Sequence, residues 1–190
     1  MDPHSLALAY SLSSVSGLRA SLTILALTIA IRMHAFTPPG SMAWLASDQT
    51  LIVVAILALA DFCADKIPGV DHVVHGVHTV LAPIAGGIAA TAVDPSSGGV
   101  ATMVALLGGA NALGILGLRA GTRASSSAAS AGVLNPLVSI VEDVLALAGL
   151  ALAFLAPLAM AVVALLATVA FVLVGRSIVR LLRGPRPAGG

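Results

Sequence analysis

Residues 133–182 read VLNPLVSIVEDVLALAGLALAFLAPLAMAVVALLATVAFVLVGRSIVRLL, an almost unbroken apolar run. One crossing of a bilayer's hydrocarbon takes about 20 apolar residues, so this run holds two. The natural division is Ala156-Pro157, since a proline ends or kinks a helix at the residue before it. Asn135 is expected to cap the first of these helices, with Pro136 at its first helical position. Glu142 and Asp143 then lie about two turns inside it, where ionisable groups are costly, face the bundle interior and count as functional candidates that need a partner. Arg19, within the first apolar run, is the expected partner. The alternatives are a structural clamp, or a later helix start that leaves both acids at the interface.

The rest of the chain has the same character. Of its 190 residues 58% are hydrophobic and 9% charged, and the mean hydropathy is +1.06. Soluble domains run at roughly 45–50% apolar and about 25% charged, so a water-exposed surface could not be covered. A net charge of +1 and 3% aromatic residues leave neither a basic field nor stacking platforms, which excludes nucleic-acid binding. One cysteine, Cys63, excludes an internal disulfide framework and a four-thiolate zinc site. Met1-Asp2-Pro3-His4 carries an acid where a secretory signal carries positive charge, so the first apolar run is expected to stay in the mature chain.

Punctuation divides the chain into about six crossings. The first run, Ser5 to Ile31, is longer than one crossing requires. Ser13-Ser14-Val15-Ser16-Gly17 and Arg19 interrupt it, which predicts a broken or re-entrant helix. Thr37-Pro38-Pro39-Gly40 is a turn before a second span, Met42 to Cys63, with Trp44 as interface anchor. A turn at Lys66-Ile67-Pro68-Gly69 precedes a third, Asp71 to Val93, and Asp94-Pro95-Ser96-Ser97-Gly98-Gly99 is the strongest loop signal. Val100 to Leu118 forms a fourth, and Arg119 to Ala131 reads as a solvated loop. Arg176, Arg180, Arg183 and Arg186, with Arg119, Arg123 and Lys66, fall on one side of this path, so the positive-inside rule places both termini in the cytoplasm. The expected architecture is an all-α polytopic transmembrane bundle: residues 1–95 as one half, 96–183 as the other, and 184–190 as a disordered cytoplasmic tail. Gly17-Leu18-Arg19-Ala20 recurs as Gly117-Leu118-Arg119-Ala120. A three-plus-three division would make the halves an inverted repeat, as in many transporters. The other reading is chance similarity in an alanine-rich chain.

The densest polar cluster is residues 61–78, DFCADKIPGVDHVVHGVH. Asp61 and Asp65 are one helical turn apart, with Asp71 beyond the turn. His72, His75 and His78 recur every third residue and share one broad face. Across a helical hairpin the two faces can meet, and three readings stand: a proton or ion pathway, a divalent-metal site at the histidines, or a hairpin whose charged ends are wet. Other patterns fail. Ser14-Val15-Ser16-Gly17 lacks the glycine and the late-span histidine of an intramembrane serine protease. Gly86-Gly87 and Gly108-Gly109 have no following Lys-Ser/Thr pair and read as helix-packing sites, not phosphate loops.

The run Asp65-Lys66-Ile67-Pro68-Gly69-Val70-Asp71, preceded by Asp61 and followed by Pro83 and Gly86-Gly87, resembles the bacterial membrane-protein family labelled domain of unknown function 4126. Ser16-Gly17-Leu18-Arg19 and Asn135-Pro136 with Glu142-Asp143 extend the resemblance over most of the chain. It implies an integral membrane protein and assigns no activity. Two functions are expected from the residues. One is a small transporter or channel-like protein of the bacterial cytoplasmic membrane, moving a proton, ion or small solute, with Asp61, Asp65, Asp71, Glu142 and Asp143 as sites and Arg19 as counter-charge. The other is a structural or accessory membrane protein. An enzyme acting on lipid has nothing in its favour beyond the acids and histidines. The bilayer is the expected partner, a homo-oligomer is left open, and no cofactor is required unless His72, His75 and His78 hold a divalent metal.

Overall fold

The computed structural model describes residues 3–64, 70–93, 99–130 and 133–183; at some helical positions, among them 71, 72 and 75, it describes the backbone alone. The described chain is helical: α1 (Pro3–Leu18), α2 (Ala20–Arg32), a short 3-10 helix (Gly40–Ala46), α3 (Asp48–Ala64), α4 (Val70–Ala92), α5 (Gly99–Ser130), α6 (Asn135–Leu155) and α7 (Pro157–Arg183). Within α5 and α6, Gly99–Ala128 and Asn135–Leu155 are long and apolar enough to cross a membrane. The 3-10 helix and α3, bent by 64° at their junction, make a third segment of that kind. Among the described residues α2, α4 and α7 add shorter apolar stretches, so two or three crossings are shown directly. Leu59, Leu107, Leu147 and Leu166 are among many large apolar side chains left exposed.

The centre of the bundle is α1, packed against α4, α5, α6 and α7. Its sequence suits that place because serines and alanines let neighbours approach closely. Ser13 and Ser14 donate to the Tyr10 carbonyl and Ser16 to that of Leu12, so these buried hydroxyls are satisfied within the helix. Ser11 reaches across to the Pro157 carbonyl, 3.2 Å away.

Two single-residue breaks shape the bundle. Ala156 (φ −148°, ψ 68°) separates α6 from α7 as expected, because Pro157 disfavours helical geometry before it. Arg19 (φ −145°, ψ 90°) separates α1 from α2 with no proline nearby. A hydrogen bond from Arg19 N to Val15 O closes α1 and one from Thr23 N to Arg19 O opens α2, so the two helices meet at this one residue.

A close reciprocal crossing joins α4 to α5. A Cβ on Gly86 would lie 2.6 Å from the Gly108 carbonyl oxygen, and a Cβ on Gly108 2.6 Å from that of Gly86; Gly87 and Gly109 stand 2.9 Å from the carbonyls of Ala105 and Pro83 in the same reciprocal way. The contact is therefore locally two-fold about Gly86 and Gly108, and both glycine pairs are the packing sites their sequence suggests.

Three sequence expectations change. Arg119 to Ala131 is not a solvated loop: α5 continues to Ser130 and Arg119 is buried. Ser, Ala and Arg tolerate a helix, and Arg119 is held there by partners on other helices. The recurrence at residues 17–20 and 117–120 does not match backbone to backbone, since Arg19 stands at a break and Arg119 within a continuous helix. Asn135 is the first residue of α6 and does not cap it; its side chain pairs with Ser127 instead.

A buried chain of charges at one end of the bundle

Four helices and the α1–α2 break bring ionisable side chains together. Asp61 lies one turn before the end of α3, His78 and Glu142-Asp143 about two turns into α4 and α6, and Arg119 two-thirds along α5. Arg19, His78, Arg119, Glu142 and Asp143 are buried, and the Asp61 side chain is 9% exposed.

Contacts run from one group to the next. The Arg19 guanidinium forms an ion pair with Asp143, donates to Ser139 Oγ at 3.3 Å, and lies 3.4 Å from Asp61 Oδ1. Ser21 donates to Asp61 Oδ2 at 2.7 Å, and His78 Nε2 lies 2.8 Å from Asp61 Oδ1. His78 Nδ1 is 2.9 Å from Arg119 Nη1. Arg119 Nε donates to Glu142 Oε2 at 2.9 Å, and Arg123 donates to the same oxygen at 2.7 Å. The Arg19 side chain thus holds its own backbone break, anchored from α6 and α3.

The histidine's role follows from the donor inventory. A guanidinium has no acceptor, so Nδ1 must accept from Arg119 and Nε2 must carry the proton given to Asp61. His78 is therefore the neutral Nε2–H tautomer in this arrangement. Its two nitrogens are both engaged, and among the described residues no three His, Cys, Asp or Glu side chains are grouped to hold a metal.

Charge is unevenly shared along the chain. Glu142 faces two arginines, Arg119 and Arg123. Among the described residues Asp61 has only Arg19 at 3.4 Å as a cation, and that arginine's closer partner is Asp143. The close partners of Asp61, Ser21 and His78, are neutral. The net charge of the group is near zero, but it is polarised, with negative charge in excess at Asp61.

Two cavities meet at that carboxylate. One, of about 340 Å³, lies between α2, α3 and α4; the other, of about 290 Å³, lies between α2, α3 and α6. Val54, Leu57 and Ala64 face the first and Ala55, Leu59 and Phe62 the second, so the cavities flank α3 with Asp61 bordering both. α3 itself has no fully buried residue. A larger cavity, about 680 Å³, between α1, α4, α5 and α7 has Tyr10, Ser13 and Asn111 as polar lining and no charge.

Of the residues expected from sequence, Asp61, His78, Glu142, Asp143 and Arg19 converge. Asp65 lies outside the described residues, as do the side chains of Asp71, His72 and His75. Ser21, Ser139, Arg119 and Arg123 belong to the site but were not expected there. Arg119 and Arg123 were assigned to a loop, although their four-residue spacing, one helical turn, was a signal that they share a face.

Membrane-length apolar helices around a buried run of acids, arginines and a histidine are the class of protein that fold and site define. The family model described as domain of unknown function 4126 matches residues 6–177, and the chain belongs to that family. No curated protein and no solved structure matches it.

Proposed function

We propose that this protein is a multi-pass protein of the bacterial cytoplasmic membrane that moves a proton or a small solute past Asp61, with His78 as the neutral donor that orients it. The observation that carries the reading is a nearly buried carboxylate bordering a cavity on each flank of α3. An ionisable group at membrane depth is costly and is kept where a pathway needs it. The helix beside it buries no residue fully, and such weakly packed elements open most readily.

His78 donates to Asp61 over 2.8 Å and fixes its orientation; with Nδ1 bound by Arg119, which does not release a proton, the histidine keeps its own, and a carried proton resides on Asp61. Arg119, Glu142, Arg123 and the Arg19–Asp143 pair act as the clamp that positions the site. Six crossings with both termini in the cytoplasm remain the preferred topology, with Lys66 and the C-terminal arginines as the inward charge. A second reading, a structural or accessory protein, draws on the complete pairing of Glu142 with two arginines.

Reconstitution separates the two. Proteoliposomes with an imposed pH gradient and an internal pH dye should lose the gradient faster than protein-free vesicles, and Asp61→Asn should return the rate to the protein-free value. A wild-type rate equal to that of empty vesicles favours the accessory reading.

A further inference from the structure

We infer that the cavity between α2, α3 and α4 binds an amphipathic amine, a protonated nitrogen on a hydrocarbon body. The inference rests on Asp61 as the transport site and names the class of solute.

Size and lining come first. At about 340 Å³ the cavity falls within the range of roughly 300–1,000 Å³ usual for small-molecule sites. Its wall is hydrocarbon from Ile24, Leu57, Leu81 and their neighbours, save for Ser21, Asp61 and His78. A few polar groups on an apolar wall fix the orientation of a ligand that is itself mostly apolar.

Charge sets the sign. Of the buried ionic chain only Asp61 and His78 line this cavity, and His78 is neutral; Arg19 and Asp143 line the other one. A ligand here meets a carboxylate and no cation. That carboxylate is also the acid least compensated by arginine. A carboxylate offers about four acceptor positions. Ser21, His78 and Arg19 occupy three, which leaves one for a single N–H donor. An anion would face Asp61 without a counter-charge, and an uncharged alcohol could donate to the carboxylate but would not neutralise it.

The test uses the whole protein in lipid nanodiscs, titrated calorimetrically with octylamine, octanol or octanoate against empty nanodiscs. Octylamine should bind, octanol more weakly, and octanoate not at all. Asp61→Asn should weaken octylamine by about ten- to a hundredfold, the loss expected for one hydrogen bond between charged groups, and weaken octanol much less. Leu81→Trp fills the cavity without touching a charge and should abolish octylamine binding even if the Asp61 variant does not fold. Equal binding of octanol and octylamine, or octylamine binding unchanged in Leu81→Trp, overturns the inference. No gradient is involved, so the outcomes separate: binding without flux keeps the site and removes transport, whereas proton flux without binding keeps transport and removes the amine.

Discussion

At the scale of single residues, the site turns on which atoms donate and which accept. His78→Gln can donate to Asp61 and accept from Arg119, so its melting temperature in detergent should stay close to wild type. His78→Phe leaves both neighbours short of a partner and should cost about 1–3 kcal/mol in the same measurement. The Arg19–Asp143 pair gives a second check. Removing either partner leaves a buried charge without its closest counter-ion and should cost up to about 3–5 kcal/mol, while the double alanine variant should cost less than the sum. Additive losses would show that the two do not act as a pair. The sequence made Arg19 and Asp143 legible as partners because each alone is too costly in an apolar chain. It did not reveal that Glu142 would take Arg119 and Arg123 instead, since adjacent residues on a helix point about 100° apart and meet different neighbours.

At the scale of elements, the α4–α5 crossing depends on the absence of side chains where the backbones touch. Gly86→Ala places a carbon 2.6 Å from the Gly108 carbonyl oxygen, so the helices must separate and thermal stability should fall clearly. Gly114→Ala on α5 meets nothing within 4 Å and should be neutral or stabilising by up to about 1 kcal/mol, the helix-propensity difference. Equal effects at the two positions would contradict this packing. Helix existence was legible from apolar runs and prolines, as at Ala156-Pro157. The α5 end was not, because Arg119, Arg123 and the serines around them read as a loop when their partners on α4 and α6 are unseen. The break at Arg19 was visible only as an interruption; what holds it, contacts from α6 and α3, is tertiary.

At the scale of the molecule, the charged chain lies toward the end of the bundle where α3 stops and α4 starts. Helix α5, about 48 Å long at 1.5 Å per residue, outruns a hydrocarbon core of about 30 Å. Under the proposed topology its serine- and arginine-bearing last turns beyond Arg119 stand at or past the interface. Reporter fusions at residue 183 should report a cytoplasmic C-terminus, and an external signal would overturn the proposed topology. Transport further requires that the cavity at Asp61 be reached from each side of the membrane in turn. Ser21, which borders both cavities and donates to Asp61, is the position to probe, in a background where the exposed Cys63 is replaced by alanine. With Ser21→Cys in right-side-out and inverted vesicles, a membrane-impermeant thiol reagent should label the residue from both faces. Labelling from one face alone, or from neither, would contradict a transport site at Asp61.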